Sequence, residues 1–308
     1  MTGPQGPSDL GPIRVLVVDD SAAQSGFLRA LLDADPRLSV VEVAPNGAAA
    51  VRETTRLAPD VITMDLHMPL MDGLEATRQI MAQTPTPIVM VTASASYREQ
   101  HLVFQAFEAG ALAVVAKPTI GQAQDTLARE LIRTVKSVAG FKLVRRWGPR
   151  RPSESGRPLG TDSQLASRAR PELVAIGAST GGPQALQEIL THLSPQFPWP
   201  VLIVQHITPG FAAGLVDWLR PQCALPIALA TDGLGLQGPG IFVAPTGHHL
   251  TVRERTLTLT DTPPVSGHRP SATKLFQSVT KVYGANALGV IPLTEPPCER
   301  AIDDQTTM

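Results

Sequence analysis

Short apolar runs alternate along the chain with stretches whose apolar residues recur at helical spacing. Over the first 140 residues the runs are Arg14–Val18, Ser39–Val43, Val61–Met64, Ile88–Val91 and Ala113–Ala116. Between them, Phe27, Ala30 and Leu31, and then Leu74, Thr77, Ile80 and Met81, fall on single helix faces. Strands alternating with helices of this length predict βαβ units around a parallel sheet covered on both faces. A second pattern starts at Leu173, with runs Leu173–Gly177, Val201–Gln205, Ile227–Ala230 and Ile241–Ala244. His249–Thr260 alternates as a hairpin does, Ser271–Tyr283 reads as a helix, and Leu288–Ile291 begins another strand. The closing PLTEPPCERAIDDQTTM has no usable period.

Between the two patterns, residues 142–170 hold eight Lys/Arg, two acids and three prolines with little periodic apolar content. They read as an exposed, flexible linker. At 308 residues the chain suits two domains, and 43% hydrophobic against 17% charged residues is enough to build a core in each. Gly 25 and Pro 29 together exceed average usage, so turns and linkers are expected. A net charge of −1 excludes a globally basic nucleic-acid binder. The C-terminal half has no helix-turn-helix pattern, so a DNA-binding regulator is disfavoured. Two cysteines, Cys223 and Cys298, make no disulfide framework, which points to a reducing, cytoplasmic setting. MTGPQGPSDLG lacks the basic and apolar regions of a secretory leader, and no apolar run reaches membrane-spanning length, so no membrane insertion is expected.

Candidate chemistry sits where strand runs stop. Asp19 and Asp20 end RVLVV, Asp65 ends VITM, Thr92 ends IVMV and Lys117 ends AVVA. In a parallel sheet those ends share one edge, the usual ligand edge of open α/β folds. Three carboxylates gathered there repel one another unless they hold a hard dication, and Mg²⁺ with phosphate oxygens suits them. A lysine and a threonine hydroxyl on the same edge can hold a phosphoryl group on one carboxylate. Asp65 then reads as a nucleophile in phosphoryl transfer.

The stretches VLVVDDS, VITMDLHMPLMDG, IVMVT and AKP resemble the response-regulator receiver domain over residues 13–135. The resemblance implies a flavodoxin-like five-stranded parallel sheet in the order 2-1-3-4-5, which places Asp19 and Asp20 beside Asp65. It implies Asp65 as phosphoacceptor, Asp19, Asp20 and Asp65 as Mg²⁺ site, Thr92 as switch hydroxyl and Lys117 as phosphate-binding amine. It further implies a cis Lys117–Pro118 peptide. Val114 stands where receivers often carry a switch aromatic.

In the second pattern, Ser179 follows LVAIG and precedes Thr180-Gly181-Gly182-Pro183. A strand-to-helix turn there offers backbone N–H groups as an oxyanion hole, from Thr180, Gly181 and Gly182. Gly177-Ala178-Ser179-Thr180-Gly181 also satisfies G-x-S-x-G. His206 ends the next run, VLIVQ, 27 residues on, so one βαβ crossover brings both side chains to one edge with His206 as general base. A Rossmann reading wants an acid at the second strand end, where Gln205-His206 stands, and an α/β-hydrolase wants the histidine last in a long chain.

VAIGASTGGPQAL, VLIVQHI, IFVAPTGHH and RPSATKLFQSV resemble the chemotaxis protein-glutamate methylesterase (CheB) family over residues 171–291. The resemblance implies a doubly wound α/β esterase domain that hydrolyses glutamate methyl esters and deamidates glutamines on methyl-accepting chemoreceptors. It implies no cofactor for that chemistry, Ser179 and His206 as catalytic residues, and a chemotaxis histidine kinase as phosphodonor. An unphosphorylated receiver would cover the site, and phosphorylation would release it. The family's third triad member is an Asp in Gly-Met-Gly-x-Asp-Gly. Here the pattern stops at Ile291, and 292–308 reads as an aberrant tail, so the esterase domain is expected to be incomplete at its C-terminal end. Asp232, Asp303 and Asp304 are poor substitutes. The alternative is a phosphoaccepting signalling and binding protein with a catalytically dead esterase domain. The expected division is a receiver of 13–135, a basic linker of 136–170, an esterase domain of 171–291 and the tail.

Overall fold

The structure, a computed structural model, describes residues 11–92, 97–118, 124–141 and 171–292. These fall into two compact units, divided between residues 143 and 144. The expected linker from 142 onward and the tail from 293 lie outside the described residues.

The first unit runs β1 (Ile13–Val18), α1 (Ala22–Asp33), β2 (Leu38–Ala44), α2 (Gly47–Leu57), β3 (Val61–Asp65), α3 (Gly73–Gln83), β4 (Ile88–Thr92), α4 (Tyr97–Ala109), β5 (Ala113–Ala116) and α5 (Gln124–Ala139). Its strands pair in the order β2-β1-β3-β4-β5, all parallel. β3 and β4 are buried at every position, because helices cover both faces of a parallel sheet and leave no solvent side to alternate with. Helix starts follow local chemistry: Ser21, Asn46 and Asp72 each accept a backbone N–H of the first turn, from Gln24, Ala49 and Glu75. One core cluster joins Val15, Val17, Val61, Val89 and Val115 of the sheet to Leu28 and Leu32 of α1 and Leu131, Val135 and Val138 of α5. Ala139 and Phe141 pack against it, so α5 continues past the expected boundary at 135.

The second unit runs β6 (Leu173–Ala178), α6 (Gly182–Thr191), β7 (Pro200–Gln205), α7 (Ala212–Leu219), β8 (Ile227–Leu229), β9 (Gly240–Val243), β10 (His249–Arg253), β11 (Thr256–Thr260), α8 (Ala272–Tyr283) and β12 (Ala287–Val290). A parallel sheet has the order β12-β6-β7-β9-β8, while β10 and β11 form an antiparallel hairpin. β6 and β7 are again buried throughout. Leu275, Val279 and Tyr283 of α8 pack on Leu173 and Ala175 of β6 and on Leu250 and Val252 of the hairpin. In β12, Leu288 is 46% exposed, and Ile291 just after it is 62% exposed, so this strand at the edge of the described sheet keeps apolar surface in water. The cis peptide among the described residues is Arg269–Pro270, and Lys117–Pro118 is not cis, contrary to expectation. There the Pro118 carbonyl accepts the Gln24 side-chain amide at 3.3 Å.

Two glycines show what the fold demands of its chain. A Cβ at Gly73 would lie 2.0 Å from the Asp65 carbonyl oxygen, whereas one at Gly26, inside α1, meets nothing within 4 Å. Gly26→Ala is therefore expected to stabilise the first unit by about 0.5–1 kcal/mol through helix propensity. Gly73→Ala is expected to destabilise it by at least about 1–3 kcal/mol, since backbone must move. Urea midpoints of the two variants, moving in opposite directions, check this.

Candidate active site

The first unit gathers its charged residues at the end of the strand ladder, Asp65 on its last rung with Val91. Val18 is paired with Met64 and Thr92 with Ala116, so Asp19, Asp65 and Lys117 emerge at one edge. The Lys117 backbone N–H donates to the Thr92 carbonyl at 2.7 Å, which aims its side chain back over the edge. Lys117 Nζ reaches Asp19 Oδ2 at 2.9 Å and Asp65 Oδ2 at 2.8 Å. The outer oxygens are held by backbone: Ser21 N–H donates to Asp19 Oδ1 at 3.0 Å and Leu66 N–H to Asp65 Oδ1 at 2.8 Å. Thr92 is buried beneath them.

One ammonium thus serves two buried carboxylates. Desolvation raises the Asp65 pKa above its ordinary 3.8, and the Asp19 charge adds to it, against the hydrogen bond and charge of Lys117. For Lys117, burial lowers the pKa, but hydrogen bonds and charge from Asp65 and Asp19 outweigh it and leave it above 10.5. Burial drives the first shift, and the two carboxylates together drive the second. Asp20, exposed, completes a group in which ligand oxygens of Asp19, Asp20 and Asp65 lie within 4.8 Å of one another. Asp19 Oδ2 is buried and, apart from its ion pair with Lys117, has no well-aligned hydrogen-bond donor, leaving acceptor capacity for a cation. This oxygen-only set fits a hard divalent ion such as Mg²⁺.

The second unit repeats the device without charge. Ala178 of β6 is paired with Gln205 of β7, so Ser179 and His206 are the first residues past the last rung of neighbouring strands. His206 N–H donates to the Ala178 carbonyl at 2.8 Å and prolongs the ladder to the histidine itself. Ser179 is exposed and His206 half-buried. Behind Ser179 the chain turns at once: Gly182 N–H donates to the Ser179 carbonyl at 2.8 Å, and Gly181 sits at φ 69°, ψ 0°. That is the third position of a type II turn, which requires positive φ and so favours glycine. The turn commits the Gly182 N–H, which removes it from the expected oxyanion donors. The expected turn residues Thr180 and Gly181 retain their place beside Ser179, half-buried and buried. Pro183 opens α6 without needing an N–H of its own.

Two residues join this site that the sequence pattern did not single out. Gln205, 4% exposed, donates from Nε2 to the carbonyls of both Ser179 and His206, each at 2.8 Å. Its Oε1 lies where a Cβ on Gly182 would come within 2.0 Å, so the glycine is required for the amide to fit. A polar residue closing the apolar run VLIV was the available signal. His268 stacks on His206, ring centroids 4.0 Å apart and planes at 8°. Asp232, considered as a substitute acid, accepts the Leu259 N–H at 2.8 Å and serves β11 instead. Asp303 and Asp304 lie outside the described residues.

Each unit matches a known protein family. Residues 174–294 match the CheB methylesterase family and residues 15–129 the response regulator receiver domain. A protein-glutamate methylesterase/protein-glutamine glutaminase of Syntrophus aciditrophicus is 43% identical over 282 residues, 91% of this chain and 81% of that protein. One from Anaeromyxobacter dehalogenans is 46% identical over 285 residues, again 91% of this chain and 81% of the other.

Two expectations follow. Between pH 3.8 and the raised value of Asp65 the folded state holds a proton that the unfolded chain has released, so stability of the first unit falls as pH rises through that window. Urea midpoints against pH should show this fall in the unsubstituted chain, and Asp65→Asn should flatten it. Gln205→Leu takes its donor from the His206 carbonyl and leaves the Ser179 carbonyl with the Gly182 N–H, and it should cost the second unit on the order of 1 kcal/mol in the same assay.

Proposed function

The chain belongs to the protein-glutamate methylesterase/protein-glutamine glutaminase family, with a receiver domain ahead of the CheB methylesterase domain, and on that premise we propose how its two sites work together. It is a phosphorylation-regulated chemotaxis methylesterase that hydrolyses glutamate methyl esters, and deamidates glutamines, on methyl-accepting chemoreceptors. The observation that carries this is the Ala178–Gln205 rung, which sets Ser179 and His206 side by side at a strand edge.

In this reading Ser179 Oγ attacks the ester carbonyl carbon while His206 takes its proton. The amides of Thr180 and Gly181 face the developing oxyanion. Collapse breaks the carbon–oxygen bond, and His206 returns the proton so that methanol leaves. Water then hydrolyses the glutamyl ester on Ser179 by the same route and leaves a receptor carboxylate. With a glutamine, ammonia leaves instead.

Asp65 is the phosphoacceptor. Its carboxylate attacks the phosphorus of a kinase phosphohistidine, the phosphorus–nitrogen bond breaks, and the histidine nitrogen departs with the electron pair. Asp19, Asp20 and Asp65 would hold Mg²⁺, which when bound offsets the charge of the phosphoryl oxygens. Lys117 supplies the second positive contact, and Thr92 offers its hydroxyl to the phosphoryl group. The division into a receiver of 13–135, a linker of 136–170 and an esterase domain of 171–291 followed by a tail belongs to the same reading, with α5 carrying the receiver to Ala139. Partners are a histidine kinase and the chemoreceptors, in the cytoplasm. No described helix is long and apolar enough to cross a membrane.

Methanol release from methylated chemoreceptor membranes tests this. The full chain should release methanol, faster with acetyl phosphate and Mg²⁺, and Asp65→Asn should lose that stimulation. Ser179→Ala should lower release by at least about 10³-fold. Phosphorylation of Asp65 and receptor binding without any Ser179-dependent methanol would instead support a signalling protein with a dead esterase domain.

A further inference from the structure

We propose that His268 is a positioning residue of the esterase site, fixing the ring plane of His206; the proposal rests on the reading of Ser179 and His206 as nucleophile and base. An imidazole that takes a proton from Ser179 and hands it to the leaving group must present one nitrogen in one direction. Rotation about the Cβ–ring bond is a broad, soft torsion, so the backbone position of His206 does not by itself choose that direction. A second flat ring parallel to the first fixes the plane in which the nitrogens point. His268 lies 4.0 Å from His206 between ring centroids, with the planes 8° from parallel, and turning the His206 ring out of its plane would drive an edge into that neighbour.

The chain is arranged to bring His268 there. Val265 N–H donates to the His268 carbonyl at 3.1 Å, and His268 N–H to the Val265 carbonyl at 3.0 Å, closing a tight antiparallel turn. Its two central residues, Ser266 at φ 52° and Gly267 at φ 79°, are both left-handed, the requirement of a type I′ turn. Glycine meets that demand without cost and serine does not, so the turn keeps strained backbone at the point where it delivers a side chain to the site. Immediately after His268, Arg269 Nη1 donates to the carbonyls of Asp261 at 2.9 Å and Thr262 at 3.4 Å, tying the end of the loop to its start. Pro270 and Ser271 are buried where α8 begins. The histidine is thus held from both sides of the chain, as a fixed surface against which another ring can rest.

The role depends on the flat face and not on the nitrogens of His268, which separates it from an acid, a base or a substrate hydrogen bond. His268→Ala and His268→Phe in the full chain test it, assayed by methanol release with acetyl phosphate and Mg²⁺ and by NMR of the His206 ring protons. His268→Ala should lower kcat roughly three- to tenfold with KM unchanged. It should also shift the His206 ring protons downfield as the stacked ring current is lost. His268→Phe, which keeps a planar face, should recover most of the lost kcat and the upfield position. Wild-type kcat in His268→Ala, or equal loss in both variants, overturns the proposal. Absence of methanol release from the unsubstituted chain overturns the esterase reading and this role with it, and the ring shift still reports separately whether the stack exists.

Discussion

Everything functional in this protein depends on the hydrogen-bond ladder between parallel strands. Such a ladder fixes neighbouring strands at about 4.8 Å and allows no slip without turning side chains to the wrong face. Its last rungs, Val18 with Met64, Thr92 with Ala116 and Ala178 with Gln205, decide which residues meet at the edge. Asp19, Lys117, Ser179 and His206 each stand one residue beyond a rung, and Asp65, paired with Val91, forms the last rung of its own strand. The apolar strands behind them, buried throughout in β3, β4, β6 and β7, hold those rungs in place, so the core sets the site geometry.

The same edge supports two chemistries because it is furnished differently. In the first unit two buried carboxylates share Lys117, and burial, with the Asp19 charge beside it, holds the Asp65 pKa above its ordinary value. Buried charge without enough partners is costly, and the natural relief is a further cation or a change in the carboxylate itself. Cation binding provides the first, and an acyl phosphate on Asp65, more negative than the carboxylate it replaces, needs that cation more. In the second unit, among the described residues, no Asp, Glu, Lys or Arg is buried at the strand ends. There the turn at Gly181, the amide of Gln205 and the ring of His268 act by position, where a misplacement of an ångström is worth orders of magnitude in rate.

Most of this was legible in the chain. Continuous apolar runs gave β3 and β7 nearly residue for residue, and the residues that stop those runs proved to be the ones at the edge. What was not legible lies in choices that only tertiary geometry makes. The Gly182 N–H had two possible acceptors, a ligand or the Ser179 carbonyl, and the turn spends it on the carbonyl. Gln205 could have faced either way at the end of its strand, and the gap over Gly182 draws it inward to two carbonyls. His268 arrives from a loop sixty-two residues after His206, a distance over which no local periodicity speaks. The Gly-Met-Gly-x-Asp-Gly segment that carries the family's third acid is not found in the sequence, and Asp232 is occupied elsewhere.

The claim at the centre is that the β6–β7 ladder makes Ser179 a nucleophile activated by His206. Reaction of the full chain with a fluorophosphonate, followed by mass spectrometry of its peptides, tests it most directly. One phosphonyl group on Ser179, with labelling at least about tenfold slower in His206→Ala, is the predicted result. Labelling of Ser179 at an unchanged rate without His206, or no labelling of Ser179 at all, would contradict it.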